Sequence, residues 1–127
     1  MIVVDTSALF AIAAGEARGP ACAEAMAVET HILISAATLA EALIVASRKG
    51  LAAEMHRLIA GAGMEVIPLI EADAVRVADA YNRWGKGVHP AGLNYGDCFA
   101  YALAQARKCP LLFVGNDFSK TDMQSAL

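Results

Sequence analysis

The chain has 127 residues, of which 57% are hydrophobic and only 18% charged, a balance that excludes intrinsic disorder and sets a single domain, residues 1–127, as the expectation. Ten Lys and Arg against thirteen Asp and Glu give a net charge of −3, so the broad basic surface of many nucleic-acid binders is absent and any such contact has to be local. No run free of charged residues reaches the roughly 18 apolar residues of a membrane-spanning helix.

Residues Ile2 to Val4 are β-branched and suited to burial on both faces, as in a central parallel strand, and Asp5-Thr6-Ser7 then offers cap-type side chains to a helix over Ala8–Ala14. Gly15 to Pro20 is a cluster of helix breakers. Ala21–Val28 follows as a second helix and His31–Ile34 as a second strand. Ser35 caps a helix over Ala36–Arg48 that closes on Arg48-Lys49-Gly50, with cations at the negative end of its dipole and a glycine for the left-handed turn. Another helix spans Leu51–Ala60, stopped by Gly61-Ala62-Gly63.

Met64–Pro68 reads as a third strand. Glu71–Trp84 is an amphipathic helix with Val75, Ala78, Tyr81 and Trp84 at core spacing opposite Arg76, Asp79 and Arg83. A loop rich in Gly and Pro runs from Gly85 to Asn94. Asn94-Tyr95-Gly96-Asp97 opens an apolar helix to Arg107, Leu111–Val114 forms a fourth strand, and Gly115-Asn116-Asp117 turns away from it. Short strands alternating with helices predict an α/β fold with a mostly parallel central sheet and helices on both faces, a three-layer α/β/α arrangement. Three cysteines, Cys22, Cys98 and Cys109, form no C-x-x-C pair, and no basic leader precedes the first apolar run, so a reducing, cytoplasmic setting is expected.

In open α/β sheets ligands bind beyond the carboxyl ends of the strands, and Asp5 and Asp117 follow the first and fourth. Glu41 is the only charge between Thr30 and Ser47, and Asp97 the only acid between Asp79 and Asp117, each in an otherwise apolar helix. Unpaired carboxylates in apolar surroundings are costly and repel one another unless they protonate or share a cation. Mg²⁺ or Mn²⁺, which prefer hard oxygen ligands, are the natural counter-charge, and His31, His56 and His89 lack the spacing of a zinc site. Each acid also has a plainer reading. Asp5 and Asp97 suit helix caps, Glu41 a narrow polar stripe and Asp117 a turn, so the functional reading rests on all four together.

The segments Met1–Leu9, Ile34–Ala42, Gly85–Ala102 and Leu111–Phe118 with Thr121-Asp122 resemble, in order and spacing, PIN-domain ribonucleases of the VapC toxin type. The resemblance covers nearly the whole chain. It implies a PIN-like domain that cleaves RNA with Mg²⁺ or Mn²⁺, a cognate antitoxin that inhibits it, and a homodimer that can join a higher toxin–antitoxin assembly. Carried over, the catalytic acids are Asp5, Glu41, Asp97 and Asp117, with Asp5, Asp97 and Asp117 on the metal and Thr6, Ser7 and Asn116 supporting them. Sequences of this type often carry a lysine just before the Gly-Asn turn, where this chain has Val114.

Arg83, Lys86 and His89 before the Asp97 helix, with Lys120 after Asp117, are candidate RNA contacts, or else an ordinary solvated loop. Trp84 is expected in the core and Cys98 as a packed thiol, while Tyr95 could stack on a base. The helical segments Ala8–Val28 and Leu51–Ala60 are candidates for dimer or antitoxin contacts. Two other classes compete with the nuclease: a catalytically silent module whose acidic pocket receives a basic segment of a partner, and, more weakly, a phosphoaspartyl enzyme, which wants a second Asp where Ser7 stands.

Overall fold

A computed structural model describes all 127 residues. Strands β1 (Ile2–Val4), β2 (Ile32–Ser35), β3 (Glu65–Ile67) and β4 (Leu111–Leu112) form one sheet in the order β3-β2-β1-β4, parallel throughout. Helices α1 (Thr6–Ala13) and α2 (Gly19–Ala27) join β1 to β2, α3 (Ala36–Arg48) and α4 (Ala52–Ala62) join β2 to β3, and α5 (Glu71–Trp84) and α6 (Tyr95–Arg107) carry the chain back to β4.

Side chains of a strand alternate between faces, and β1 divides the molecule accordingly. Ile2 and Val4 join Ile32, Ile34 and Leu112 against the α1–α4 layer, with Leu9, Cys22, Met26, Ala42 and Met55. Val3 joins Leu33 and Leu111 against α5 and α6, with Val77, Trp84, Tyr101 and Leu103. Val3 and Val4 are completely buried, which stabilises the fold by about 1.5–3 kcal/mol for each side chain.

From β1 the chain moves first to β2 and later returns to β4 on the other side, so the switch point of the sheet lies between β1 and β4. At that edge strands turn directly into helices. Asp5 accepts from Ser7 N–H at the start of α1, and Ser35 accepts from Ala37 N–H at the start of α3. The N-terminus of α6 joins them, since α3 and α6 pack together and a Cβ on Gly96 would overlap the Glu41 carboxylate.

The expected α3 and α5 bounds coincide with those observed, and Gly50 takes the left-handed conformation expected after α3, with φ of 71°. Helix α4 runs past Gly61 and stops only at Gly63, whose φ of 66° turns the chain. Two expectations need correction. Strand β4 ends at Leu112, because Val114 N–H donates to the Ser7 hydroxyl instead of a neighbouring strand. On α5 the core face is Val77, Ala80 and Trp84, while Val75 is 58% and Tyr81 36% exposed. The apolar arc of this helix is wider than its contact with α6, and Ala74, Ala78 and Tyr81 line a groove of about 500 Å³ with Leu69, Ile70, Tyr95 and Phe99.

The carboxyl-terminal segment lies along the outer edge of β4: Leu111 N–H donates to Gln124 O at 2.9 Å and Ala126 N–H to Leu111 O at 3.0 Å. It covers backbone groups that an edge strand would otherwise expose.

Candidate active site

Beside the β1/β4 switch point opens a cavity of about 300 Å³, lined by Asp5, Thr6, Ser7, Glu16, Glu41 and Asp97, with Phe10, Val45 and Val114. Asp5, only 4% exposed, is fixed by its own helix. Its Oδ2 accepts from Ser7 N–H at 3.0 Å and from the Ser7 hydroxyl at 2.6 Å, and that hydroxyl in turn accepts from Val114 N–H at 3.0 Å. Ser7 thereby locks the carboxylate to the end of β4. The other oxygen, Oδ1, is buried without any hydrogen-bond partner.

Asp97 is arranged in the same way on α6. Its Oδ2 accepts from Asn94 N–H at 2.9 Å while the Asn94 side chain accepts from Asp97 N–H at 2.8 Å, a reciprocal cap. Glu41 comes from α3. Its Oε1 accepts from the Thr6 hydroxyl at 2.7 Å, and its carboxylate rests on Gly96, where the missing side chain makes room. The plainer reading of Asp5 and Asp97 as helix caps is therefore realised, and it occupies only one oxygen of each. The second oxygens of both are free of hydrogen bonds within the chain.

Burial governs the electrostatics. Desolvation raises the Asp5 carboxyl above the ordinary aspartate range against the opposing hydrogen bonds from Ser7, and the charge of Glu41 adds to the rise. Asp97 is pushed up to about 6, again first by burial, against its hydrogen bond from Asn94 and with the charges of Asp5, Asp117 and Glu41 adding to it.

Asp117 is exposed just beyond β4 and acts on the cluster through its charge on Asp97, outside the cavity wall. The carboxylates ring the cavity: no three His, Cys, Asp or Glu side chains converge on one point in ligating geometry. A divalent cation nevertheless fits the donor set, because Asp5 keeps a buried oxygen without a partner, Glu41 and Asp97 line the same cavity, and every polar side chain there offers oxygen.

The remaining candidates lie apart. Asn116 makes no hydrogen bond to the acids; its carbonyl accepts from the Ser119 hydroxyl at 2.6 Å. Arg83 pairs with Asp122 at 3.6 Å and lies over the Trp84 ring, His89 packs edge-on against Trp84, and Lys86 and Lys120 are exposed; none of the four lines the cavity. Trp84 and Cys98 are buried, and desolvation raises the Cys98 thiol to about 11, as befits a packed thiol. Tyr95 lines the apolar groove beside α5 and is not part of the acidic cavity's wall. Sequence reasoning did not single out Glu16 or Gly96. Glu16 carried no signal, whereas a glycine in the first turn of a helix is a sign of close approach.

A parallel α/β/α domain with carboxylates gathered at its switch point is the form of a PIN domain, and the PIN-domain family model matches residues 2–123. The chain belongs to this family, in its VapC ribonuclease branch. Ribonuclease VapC28 of Mycobacterium tuberculosis is 42% identical over 130 residues, covering 99% of this chain and 98% of that protein. Ribonuclease VapC of Mycolicibacterium smegmatis is 42% identical over 129 residues, covering 96% and 97%. Among solved structures, that of Mycobacterium tuberculosis VapC20, described as a Sarcin-Ricin loop cleaving toxin, superposes with a TM-score of 0.78 at 18% identity, over 97% of this chain and 96% of that one.

Proposed function

We propose that the chain is a Mg²⁺- or Mn²⁺-dependent endoribonuclease, a single cytoplasmic domain that acts as the toxin of a toxin–antitoxin pair and is held inactive by its antitoxin. The observation that carries this reading is the buried, unpartnered Asp5 Oδ1 at the sheet's switch point, among carboxylates of α3 and α6. Its curated relatives are named ribonucleases, and a toxin–antitoxin complex from Klebsiella pneumoniae shares the fold with a TM-score of 0.72 at 20% identity, over 96% of this chain and 93% of that one.

Asp5, Asp97 and Asp117 would hold the cation, with Glu41 beside it. When bound, it neutralises charge on the scissile phosphate and makes water a stronger nucleophile. Ser7 fixes the Asp5 carboxylate and Thr6 fixes that of Glu41, so neither has to reorganise as substrate arrives. Asp97, with a carboxyl near 6, is deprotonated at neutral pH and available as a ligand.

Two apolar surfaces suit the protein partners. One is a groove of about 340 Å³ between α1, α2 and α4, with Ile12, Met26 and Leu58 in its walls; the other is the groove beside α5. An antitoxin segment and a second copy of the chain are the occupants this reading assigns to such surfaces.

The test is cleavage of structured RNA by the purified protein with Mn²⁺, beside a calorimetric titration of Mn²⁺. Asp5→Asn or Asp97→Asn should remove cleavage while leaving the thermal melt in place. Cleavage that persists in both variants would sink the reading. Absent Mn²⁺ binding with a partner protein still captured would point instead to a silent binding module.

A further inference from the structure

The acidic cavity must accept a polyanion, yet no Lys or Arg lines it; of the basic loop residues Arg83 is paired with Asp122, and neither Lys86 nor His89 is part of the cavity wall. Cations do stand next to it. A second cavity of about 310 Å³ adjoins the first, sharing Val114 as a common wall, and is lined by Arg18, Asn116, Ser119 and Ser125 with Phe113, Gly115 and Leu127. Arg18 is its only cation. It is exposed in the α1–α2 connection, two residues from the cavity-lining Glu16, and has no carboxylate within salt-bridge distance, unlike Arg57, Arg76 and Arg83.

The other cation follows from the periodicity of α3. Glu41 and Val45 both line the acidic cavity, and Lys49 continues the same stripe one turn further on. Its ammonium lies 5.1 Å from the centroid of the Phe10 ring, and Phe10 is itself a wall of the cavity. Like Arg18, Lys49 has no carboxylate partner.

We infer that Arg18 and Lys49 are phosphate contacts for the RNA strand on either side of the scissile bond, so that the strand runs over Val114 and Phe10 rather than along the Gly85–Asn94 loop. The inference rests on the ribonuclease reading above. A bare acidic cavity repels phosphate; a cation in the cavity handles the reacting phosphate, and neighbouring phosphates need fixed positive charge of their own. Arg18 meets one phosphate beside the Ser125 hydroxyl and the Asn116 amide. Lys49 meets another as a point charge, held in place by its packing on Phe10.

The test uses the full chain carrying Asp97→Asn, so that RNA is bound without being cut. Affinity for a labelled single-stranded RNA is measured between about 50 and 200 mM salt. Removing one cation that meets a phosphate should flatten the plot of log affinity against log salt by about 0.7, equivalent to about fivefold weaker binding near 0.1 M salt. Arg18→Ala and Lys49→Ala should each show this change and the double variant about twice it, and the same substitutions made with Asp97 intact should leave Mn²⁺ affinity unchanged. Arg18→Lys and Lys49→Arg should recover the slope. Arg107→Ala, at the opposite end of α6 from Asp97, should leave it unaltered. Slopes equal to the parent's in both alanine variants would overturn the track while leaving the ribonuclease reading in place. A parent chain with no salt-dependent RNA binding would overturn both.

Discussion

Two regions of this molecule bury polar side chains, and they treat them oppositely. Between α5, α6 and the carboxyl-terminal segment, Trp84 Nε1–H donates to the Tyr101 hydroxyl at 2.9 Å, and that hydroxyl donates to Asp122 Oδ1 at 2.6 Å. Arg83 closes the chain, its guanidinium 3.6 Å from Asp122 Oδ2 and above the Trp84 ring. Every donor has an acceptor. At the acidic cavity, by contrast, Asp5 Oδ1 has none, and burial raises both Asp5 and Asp97. A satisfied network holds structure together, whereas a cluster of orphaned, mutually repelling oxygens is stable only for what it binds.

Substitutions that remove one atom from each region should separate these roles most sharply. Asp5→Asn keeps an acceptor for Ser7 and removes the charge that burial disfavours, so the melt should hold while cleavage falls by at least about 100-fold, the upper range for changes around a metal ligand. Tyr101→Phe should do the reverse. It strands the buried Trp84 N–H and frees Asp122, which destabilises the fold by about 1–3 kcal/mol, read from denaturant titration, while Mn²⁺ affinity stays within about twofold. Equal losses of stability in the two variants would erase the contrast.

Gly96→Ala probes the same contrast more finely. The added methyl overlaps the Glu41 carboxylate, so Glu41 must move away from the cavity or α6 must shift. Mn²⁺ affinity should fall by about tenfold, of the order seen when groups supporting a ligand are removed. The shorter acid of Glu41→Asp in the same chain should restore part of it. A defect of α6 alone would give no such rescue, since alanine favours a helix over glycine.

The smallest expected effect concerns pH. Asp97 binds its proton more tightly in the folded chain, with a carboxyl near 6, than its ordinary value of 3.8. The folded state therefore holds more protons between those values, and without metal the stability should rise as pH falls from 7 towards 4. Mn²⁺ affinity should run the other way, tightening as pH rises through 6 because protons compete for the same oxygen. Thermal melts across that range, with and without Mn²⁺, check both slopes. The Tyr101 hydroxyl does not titrate there, being raised to about 12 by burial and then by Asp122.

Much of this was legible in the chain itself. Ser35 and Asn94 announce helix starts by their chemistry, and α3 and α6 begin directly after them. Four isolated acids in a chain poor in charge stood out, and three of them, Asp5, Glu41 and Asp97, line one cavity, with Asp117 acting on it from outside. Local chemistry reports on local structure, and an acid in an apolar helix needs a reason wherever that helix packs.

What depends on the meeting of distant segments was not legible. No pattern in Thr121–Leu127 told that it pairs with β4, nor that Tyr101 and Asp122 would join. On α5, two overlapping apolar stripes were both compatible with a helix, and only the docking of α6 chose Val77, Ala80 and Trp84. Arg18 does not stand out in sequence and Lys49 reads there only as a helix-ending cation; each gains further meaning from what folds beside it, Val114 for one and Phe10 for the other. The sequence by itself determined the elements, their caps and the identity of the acids, because these follow from spacings of a few residues. The tertiary structure alone decided the strand order that places Asp5 beside β4, the contact of Glu41 with Gly96 and the cations flanking the cavity, because each depends on surfaces brought together from far along the chain.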